Sequence, residues 1–337
     1  MVADVNKAAI VTAFDTAVET MERAAELGYA LASKVDKIYL VSCGAPNRIM
    51  LGLEYWIQHY SPSLEVRRYF PAEFMTQDPA RFDERTLVLL GSKSGTTPET
   101  VKAAEFLSDR ACHTIAVTQT ADLPLAKAVR DPLLMGETDE AHTAMFLIMQ
   151  ALIGGLMAEK DGWKLQDKLM RSLAAMPNAM AETQLAAERR AAEDARLLKD
   201  DRILYHVASG PMFNTAYVFG ICVLMEMQWM HSVPLEAAEF FHGPFEIVDH
   251  TTPVVLMLGE DPSRPLMERV ERFCKKYTER TFIYDSRDFA MPGIDDEIRP
   301  IVAPYIIEAA LHRVAARLAV WHNHPLSTRR YMWKTEY

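Results

Sequence analysis

Thr86-Leu87-Val88-Leu89-Leu90-Gly91-Ser92-Lys93-Ser94-Gly95-Thr96-Thr97-Pro98 decides the fold. Its apolar head is a short run closed by glycine, the pattern of a strand buried on both faces. The hydroxyl-rich middle ends at Pro98, whose fixed φ and missing N–H suit the first turn of a helix. The stretch therefore reads as strand, loop and helix in immediate succession. Working outward, Lys37-Ile38-Tyr39-Leu40-Val41-Ser42 is another apolar strand, which breaks at Cys43-Gly44. Asn47 to Tyr60 then reads as a helix. Glu65 to Phe70 and His113 to Thr118 supply further strands, and residues 5–33 predict one amphipathic helix. Such alternation predicts an α/β fold with a parallel sheet covered on both faces.

The pattern pauses and restarts. Residues 158–200 are charged, alanine-rich and without strand signal, which predicts a helical connection. Arg202 to Ala208 is then a strand, Ser209-Gly210-Pro211 a loop, and Met212 to Met230 a mostly apolar helix. Pro253 to Leu258 and Thr281 to Tyr284 are further strands, and Tyr305 to Trp321 is a late helix. Strand, Cys43-Gly44 and helix in one half echo strand, Ser209-Gly210 and helix in the other, so two copies of one α/β unit are expected. A length of 337 residues, half of them apolar, suits two domains.

The net charge of -10 argues against nucleic acid and anionic membrane surfaces as partners. An anionic substrate must therefore be held by local groups. Cys43, Cys112, Cys222 and Cys274 are scattered, as reduced thiols of a cytoplasmic protein would be. Met1-Val2-Ala3-Asp4 leads into polar sequence without the pattern of a secretory leader. The apolar run from Ala144 to Met157 is short for a bilayer span and reads as a core helix.

Two features carry chemistry. The loop Ser92-Lys93-Ser94-Gly95-Thr96-Thr97 offers backbone N–H groups, a positive helix end and the hydroxyls of Ser92, Ser94 and Thr97. Lys93 adds charge or points to solvent. An ordinary capped helix start has the same residue types, but the density of hydroxyls after a strand favours phosphate. No Walker-type or GxGxxG pattern occurs, so a sugar phosphate is expected rather than a nucleotide. The second feature is Glu226, set among apolar neighbours in Leu224-Met225-Glu226-Met227-Gln228-Trp229. Burial resists ionisation and raises a carboxyl pKa toward the range of a general base; a buried ion pair is the plainer alternative. His242 stands at a turn beside Gly243-Pro244, where its ring can face a cleft. In the tail, Arg329 and Arg330 suit bidentate binding of a carboxylate, and His322 and His324 crowd beside them. No metal-ligand cluster is evident, and no metal or other cofactor is expected.

The chain resembles the double sugar isomerase (SIS) domain family over nearly its whole length. Ser92-x-Ser94-Gly95-x-Thr97 matches that family's sugar-phosphate loop. Glu226 and His242 lie sixteen residues apart, like the catalytic pair of the isomerase half of glucosamine-6-phosphate synthase. Met225-Glu226-Met227-Gln228-Trp229, the segment from Glu239 to Ile247, and Thr328-Arg329-Arg330-Tyr331-Met332-Trp333-Lys334 resemble the fructosamine-6-phosphate deglycase branch. The resemblance implies two flavodoxin-like, three-layer α/β/α subdomains with parallel sheets, residues 1–175 holding the phosphate loop and residues 176–337 the tail. It departs from the synthase in lacking a glutaminase domain and a clean match for the Schiff-base lysine; Lys334 is offered instead for carboxylate binding or a structural role.

What the resemblance implies is a hydrolytic deglycase for a 6-phosphorylated Amadori compound, 6-phosphofructose-aspartate or a related fructosyl-amino acid. His242 would open the sugar ring. Glu226 would take a proton from C1 and return one at C2, giving an imine that water splits into glucose 6-phosphate and free amino acid. Ser92, Lys93, Ser94 and Thr97 would bind the phosphate, with Ser42, Cys43 and Gly44 completing the sugar site. Arg330 and Lys334 would bind substrate from a tail that closes over the site. Glu239 could orient His242, and His142 falls loosely where the family contacts the sugar. A homodimer with shared active sites is implied. The rival readings are a phosphosugar isomerase or synthase-like isomerase, and a non-catalytic sugar-phosphate sensor.

Overall fold

The computed structural model describes residues 2–336, and its contacts divide the chain into two compact units. One holds residues 8–177 and 293–298. The other holds residues 178–292 and 299–337 with the N-terminal residues up to Lys7. The units are not single stretches of chain. The division falls at Pro177, inside the helix Gln166–Leu198. Residues 293–298 return to the first unit because the Asp295 amide donates to Ser172 Oγ and Lys168 pairs with Asp295 and Glu297.

The first unit is built on five parallel strands: β1 (Lys37–Val41), β2 (Glu65–Tyr69), β3 (Thr86–Gly91), β4 (His113–Thr118) and β5 (Asp131–Leu134). Their order is β2-β1-β3-β4-β5, a doubly wound, flavodoxin-like sheet. Side chains alternate between faces, so Tyr39, Val41, Val88, Leu90 and Ala116 pack on Phe74, Ala103, Ala104 and Leu125. Ile38, Leu40, Leu87, Leu89 and Ile115, equally buried, point to the other face. The helix Ala141–Asp161 is long and apolar enough to cross a membrane by length and composition, and 89% of its apolar window is buried inside the protein.

The second unit repeats the plan with β6 (Ile203–Ala208), β7 (His231–Glu236), β8 (Val254–Leu258) and β9 (Thr281–Asp285), ordered β7-β6-β8-β9 and again all parallel. Leu204, Ala208, Val255 and Met257 face one core with Phe219, Leu224, Ile307 and Leu311. Val207, Val254, Leu256 and Leu258 face another with Met267, Val270 and Phe240. No disulfide joins any of the four cysteines.

Several elements differ from expectation. Residues 5–33 form two helices, Lys7–Thr12 and Asp15–Leu31, because the Thr12 hydroxyl bonds back to Ala8 and Ala9 and the fully buried Phe14 turns into the core. The helical connection breaks at Gly162, a left-handed C-cap of Ala141–Asp161. Strands β5 and β7 carry Pro132 and Pro234, which a sheet tolerates because both strands lie at its edges. The helix expected from Met212 to Met230 begins with a 3-10 turn and widens to a π-helix over Val218–Met225.

His206 of β6 is fully buried, edge-on to Phe219 at 5.4 Å. Neither ring nitrogen has a hydrogen-bond partner among the described residues, and burial holds its pKa down to about 3. Protons then bind the unfolded chain and not the folded one between pH 6.5 and 3. Stability falls as pH drops through that window, by up to about 1.4 kcal/mol per unit from this residue. Urea denaturation of His206→Leu across the window is expected to show a shallower loss than the parent; an identical slope would contradict it.

Candidate active site

Strand β3 delivers the loop Ser92–Thr97 to the start of the helix Pro98–Phe106. The first amides of a helix have no acceptor within it and carry the positive end of its dipole. Gly95 sits at φ +59, and a Cβ there would lie 2.7 Å from Leu123 Cβ and 2.8 Å from Thr118 Oγ1. Only glycine fits this turn, which curls successive amides into an anion-binding concavity. Ser92 is buried: its hydroxyl accepts from the Gly95 amide at 3.1 Å and bonds Thr97 Oγ1 at 2.8 Å. The exposed Ser94 hydroxyl accepts from the Thr96 hydroxyl at 3.0 Å. The phosphate contact expected of Ser92 is therefore corrected: its buried hydroxyl shapes the loop through Gly95 and Thr97, while the Ser94 and Thr96 hydroxyls lie exposed.

Lys93 is half exposed and lies 3.6 Å from the carboxylate of the fully exposed Asp139. A pairing between two such groups is weak, so the ammonium can swing to an anion. Lys93, Gln119, Glu137, Thr138 and Asp139 line an open cleft of about 460 Å³ beside the loop. Of these only Lys93 stood out in the sequence, because the others come from the connections after β4 and β5 and share no motif.

The expectation for Ser42 needs correction. It is fully buried, its hydroxyl donates to the Gly91 carbonyl at 2.7 Å, and it accepts from the Gly91 amide at 2.9 Å. With its bonds spent on β3 it braces the start of the Ser92–Thr97 loop and presents nothing to a ligand. Gly44, by contrast, opens its helix at φ +62 with free space around it. Gly210 takes the same left-handed backbone in the second unit at φ +53, but Ser263 and Asp261 crowd it, and Cys43 and Ser209 before the two glycines share extended backbone. The loop after β8 differs: Asp261 accepts from the Ser263 amide and hydroxyl, and Glu260 pairs with Arg299. Carboxylates, both already engaged, stand here where the first unit has the hydroxyls of Ser92 and Ser94. His142 lies half-buried on the first turn of Ala141–Asp161.

In the second unit the π-helix runs straight into the turn Glu226–Gln228. Its wider i→i+5 turns rotate Glu226 away from the place a regular α-helix would give it. Trp229 ends the helix in left-handed conformation at φ 57, a strained position for a bulky side chain. Its ring is pinned by His324, edge-on at 4.4 Å, and by Arg330, 4.1 Å over its face.

The Glu226 side chain is 26% exposed and meets Arg329, 8% exposed, at 2.8 Å between Oε1 and Nη2. Burial pushes the Glu226 carboxyl above its ordinary range, and the Arg329 guanidinium pulls it partly back. Both sequence readings therefore describe one residue: a carboxylate raised by burial and also ion-paired. Sequence reasoning gave Arg330 the tail's binding role, yet Arg330 lies exposed over Trp229 and Arg329 reaches the carboxylate. Lys334 donates to the Arg329 carbonyl at 2.6 Å, tying the tail to itself.

His242 is exposed on the turn after β7, its amide donating to the Glu239 carbonyl at 2.9 Å. Gly243, at φ 137, lets Pro244 start a 3-10 turn immediately. Among the described residues no hydrogen bond joins His242 to Glu226, and none orients the His242 ring through the exposed Glu239 carboxylate. No group of three metal-ligating side chains occurs among them either. The first unit thus offers a turn of amides and hydroxyls at a helix start, and the second a partly buried carboxylate and an exposed imidazole.

Comparison with known proteins agrees with these features. The SIS domain family model matches residues 31–153. The chain is 37% identical over 307 residues to fructosamine deglycase FrlB of Bacillus subtilis, covering 90% of this chain and 93% of that protein. It is 29% identical over 303 residues to fructoselysine 6-phosphate deglycase of Escherichia coli, covering 88% and 85%. A solved Bacillus subtilis structure, described as a candidate phosphosugar isomerase, superposes with a TM-score of 0.89 at 33% identity, covering 95% of this chain and 99% of that one.

Proposed function

This chain belongs to the SIS-domain family that includes the fructosamine and fructoselysine 6-phosphate deglycases, and from that membership we propose that it cleaves a 6-phosphorylated Amadori compound to glucose 6-phosphate and a free amino acid. The observation that carries the reading is Glu226, a carboxyl raised by burial yet held beside a guanidinium. A carboxyl so placed can both take and return a proton.

The loop Ser92–Thr97 holds the phosphate through backbone N–H groups, the hydroxyls of Ser94 and Thr97, and Lys93. His242 moves a proton at the ring oxygen and opens the ketose. Glu226 removes a proton from C1, the carbon bearing nitrogen, and a proton is returned at C2. The ketoamine becomes an aldose imine. Water adds to C1, the C1–N bond breaks, and the amine leaves with a proton. No oxidant or reductant enters, because the isomerisation moves hydrogen within the sugar.

The cargo we favour is aspartate, on the resemblance of the tail segment Thr328 to Lys334 to the deglycase branch. A cytoplasmic homodimer completes the proposal. Exposed apolar side chains near Glu226 and His242, among them Met225, Trp229 and Ile247, support a partner surface there. A coupled assay for glucose 6-phosphate tests the reading, with 6-phosphofructose-aspartate, fructoselysine 6-phosphate, and fructose 6-phosphate with ammonia as substrates. Release from a glycated amino acid is expected, fastest from the aspartate compound. Turnover of fructose 6-phosphate alone would replace the deglycase by an isomerase. Tight binding without turnover would replace it by a sensor.

A further inference from the structure

The helix Arg299–Trp321 ends in a tail that folds against the segment carrying Glu226. His322 bonds Gln228 Oε1 at 3.1 Å and the Lys199 carbonyl at 2.8 Å, and Gln228 Nε2 donates to the His324 carbonyl at 2.8 Å. Within this tail Arg329 is fixed from several sides. Its Nη1 donates to the Leu326 carbonyl at 2.7 Å and the Thr328 carbonyl at 3.0 Å, and its guanidinium lies 5.3 Å from the Trp333 ring. A guanidinium so held loses little entropy when it binds an anion. Its closest approach to Glu226 is 2.8 Å, between Nη2 and Oε1.

We propose that Arg329 is a positioning residue for Glu226: held by the tail, its guanidinium fixes the Glu226 carboxyl through an ion pair at 2.8 Å in the place from which it takes the substrate proton. The proposal rests on the reading of Glu226 as the proton carrier. Among the described residues Arg329 is the one charge that acts on the Glu226 carboxyl. His231 and Glu236 of β7 do not contribute, nor do Arg313 and Arg317 of the helix Arg299–Trp321, which pair with Glu188. On the tail, His322, His324 and Arg330 engage Gln228 and Trp229 instead.

The test compares the full chain with Arg329→Gln and Arg329→Lys by two measurements. The first is the pH profile of kcat/KM for glucose 6-phosphate release from 6-phosphofructose-aspartate. The second is the pH titration of the Glu226 carboxyl carbon by NMR on glutamate-labelled protein without substrate, assigned with Glu226→Gln. In Arg329→Gln the acid limb and the Glu226 titration should both move to higher pH by about one unit or more. Turnover at neutral pH should fall about tenfold, and Arg329→Lys should recover most of both. A titration and limb unmoved in Arg329→Gln, whatever its Tm, would overturn the proposal, as would faster turnover, which would mark Arg329 as an inhibitory clamp. If the wild type releases no glucose 6-phosphate while the Glu226 titration still follows Arg329, the positioning stands and the assigned reaction fails.

Discussion

Glu226→Gln is expected to lower kcat/KM for glucose 6-phosphate release by about 10²–10⁴-fold, the usual value of one positioned proton transfer. The amide has nearly the shape of the carboxylate but no basic oxygen, so substrate should still bind and KM should change little. The substitution also leaves Arg329 buried without its counter-charge. Because Glu226 is partly exposed, the cost should fall between that of a surface pair and a buried one, roughly 1–3 kcal/mol. Urea denaturation measures that cost separately from the rate. Full activity in a folded Glu226→Gln protein would remove Glu226 from the chemistry.

Gly95→Ala should damage the phosphate half of the reaction as severely, by a different route. The left-handed backbone at Gly95 costs an L-residue about 1–2 kcal/mol. The added methyl would also sit within 3 Å of Leu123 and Thr118, which both come from the framework under the loop. The loop must open, and the amide that Gly95 gives to Ser92 is lost with it. Affinity for glucose 6-phosphate, measured by calorimetry, should drop at least about tenfold while unphosphorylated glucose shows no change. Unaltered phosphate affinity would show that the anion binds elsewhere.

The sequence was readable wherever one physical demand dominated. Short apolar runs such as Leu87–Leu90, closed by glycine or hydroxyl residues, suit strands buried on both faces, and β1, β3, β4, β6 and β8 all appear where those runs lie. Edge strands β5 and β7 were illegible because one flank needs no pairing, so Pro132 and Pro234 are tolerated and the apolar pattern lapses. The π-helix was hidden because Val218–Met225 is apolar all round, and periodicity cannot report turn width in such a segment. At the site, Ser42 was misread because a small hydroxyl beside glycine looks alike whether it faces a ligand or a neighbouring strand. The Glu226–Arg329 pair was half visible: burial of the carboxylate follows from its neighbours, but a partner a hundred residues away follows only from the fold.

The central claim is that Glu226 takes a proton from C1 before the C–N bond breaks. Its most direct test is turnover of 6-phosphofructose-aspartate carrying two deuterium atoms on C1, with the released sugar phosphate read by NMR and mass spectrometry. Proton removal at C1 predicts glucose 6-phosphate with a single deuterium on C1. Fructose 6-phosphate bearing both deuterium atoms would mean that the C–N bond is displaced directly, and would contradict the role assigned to Glu226.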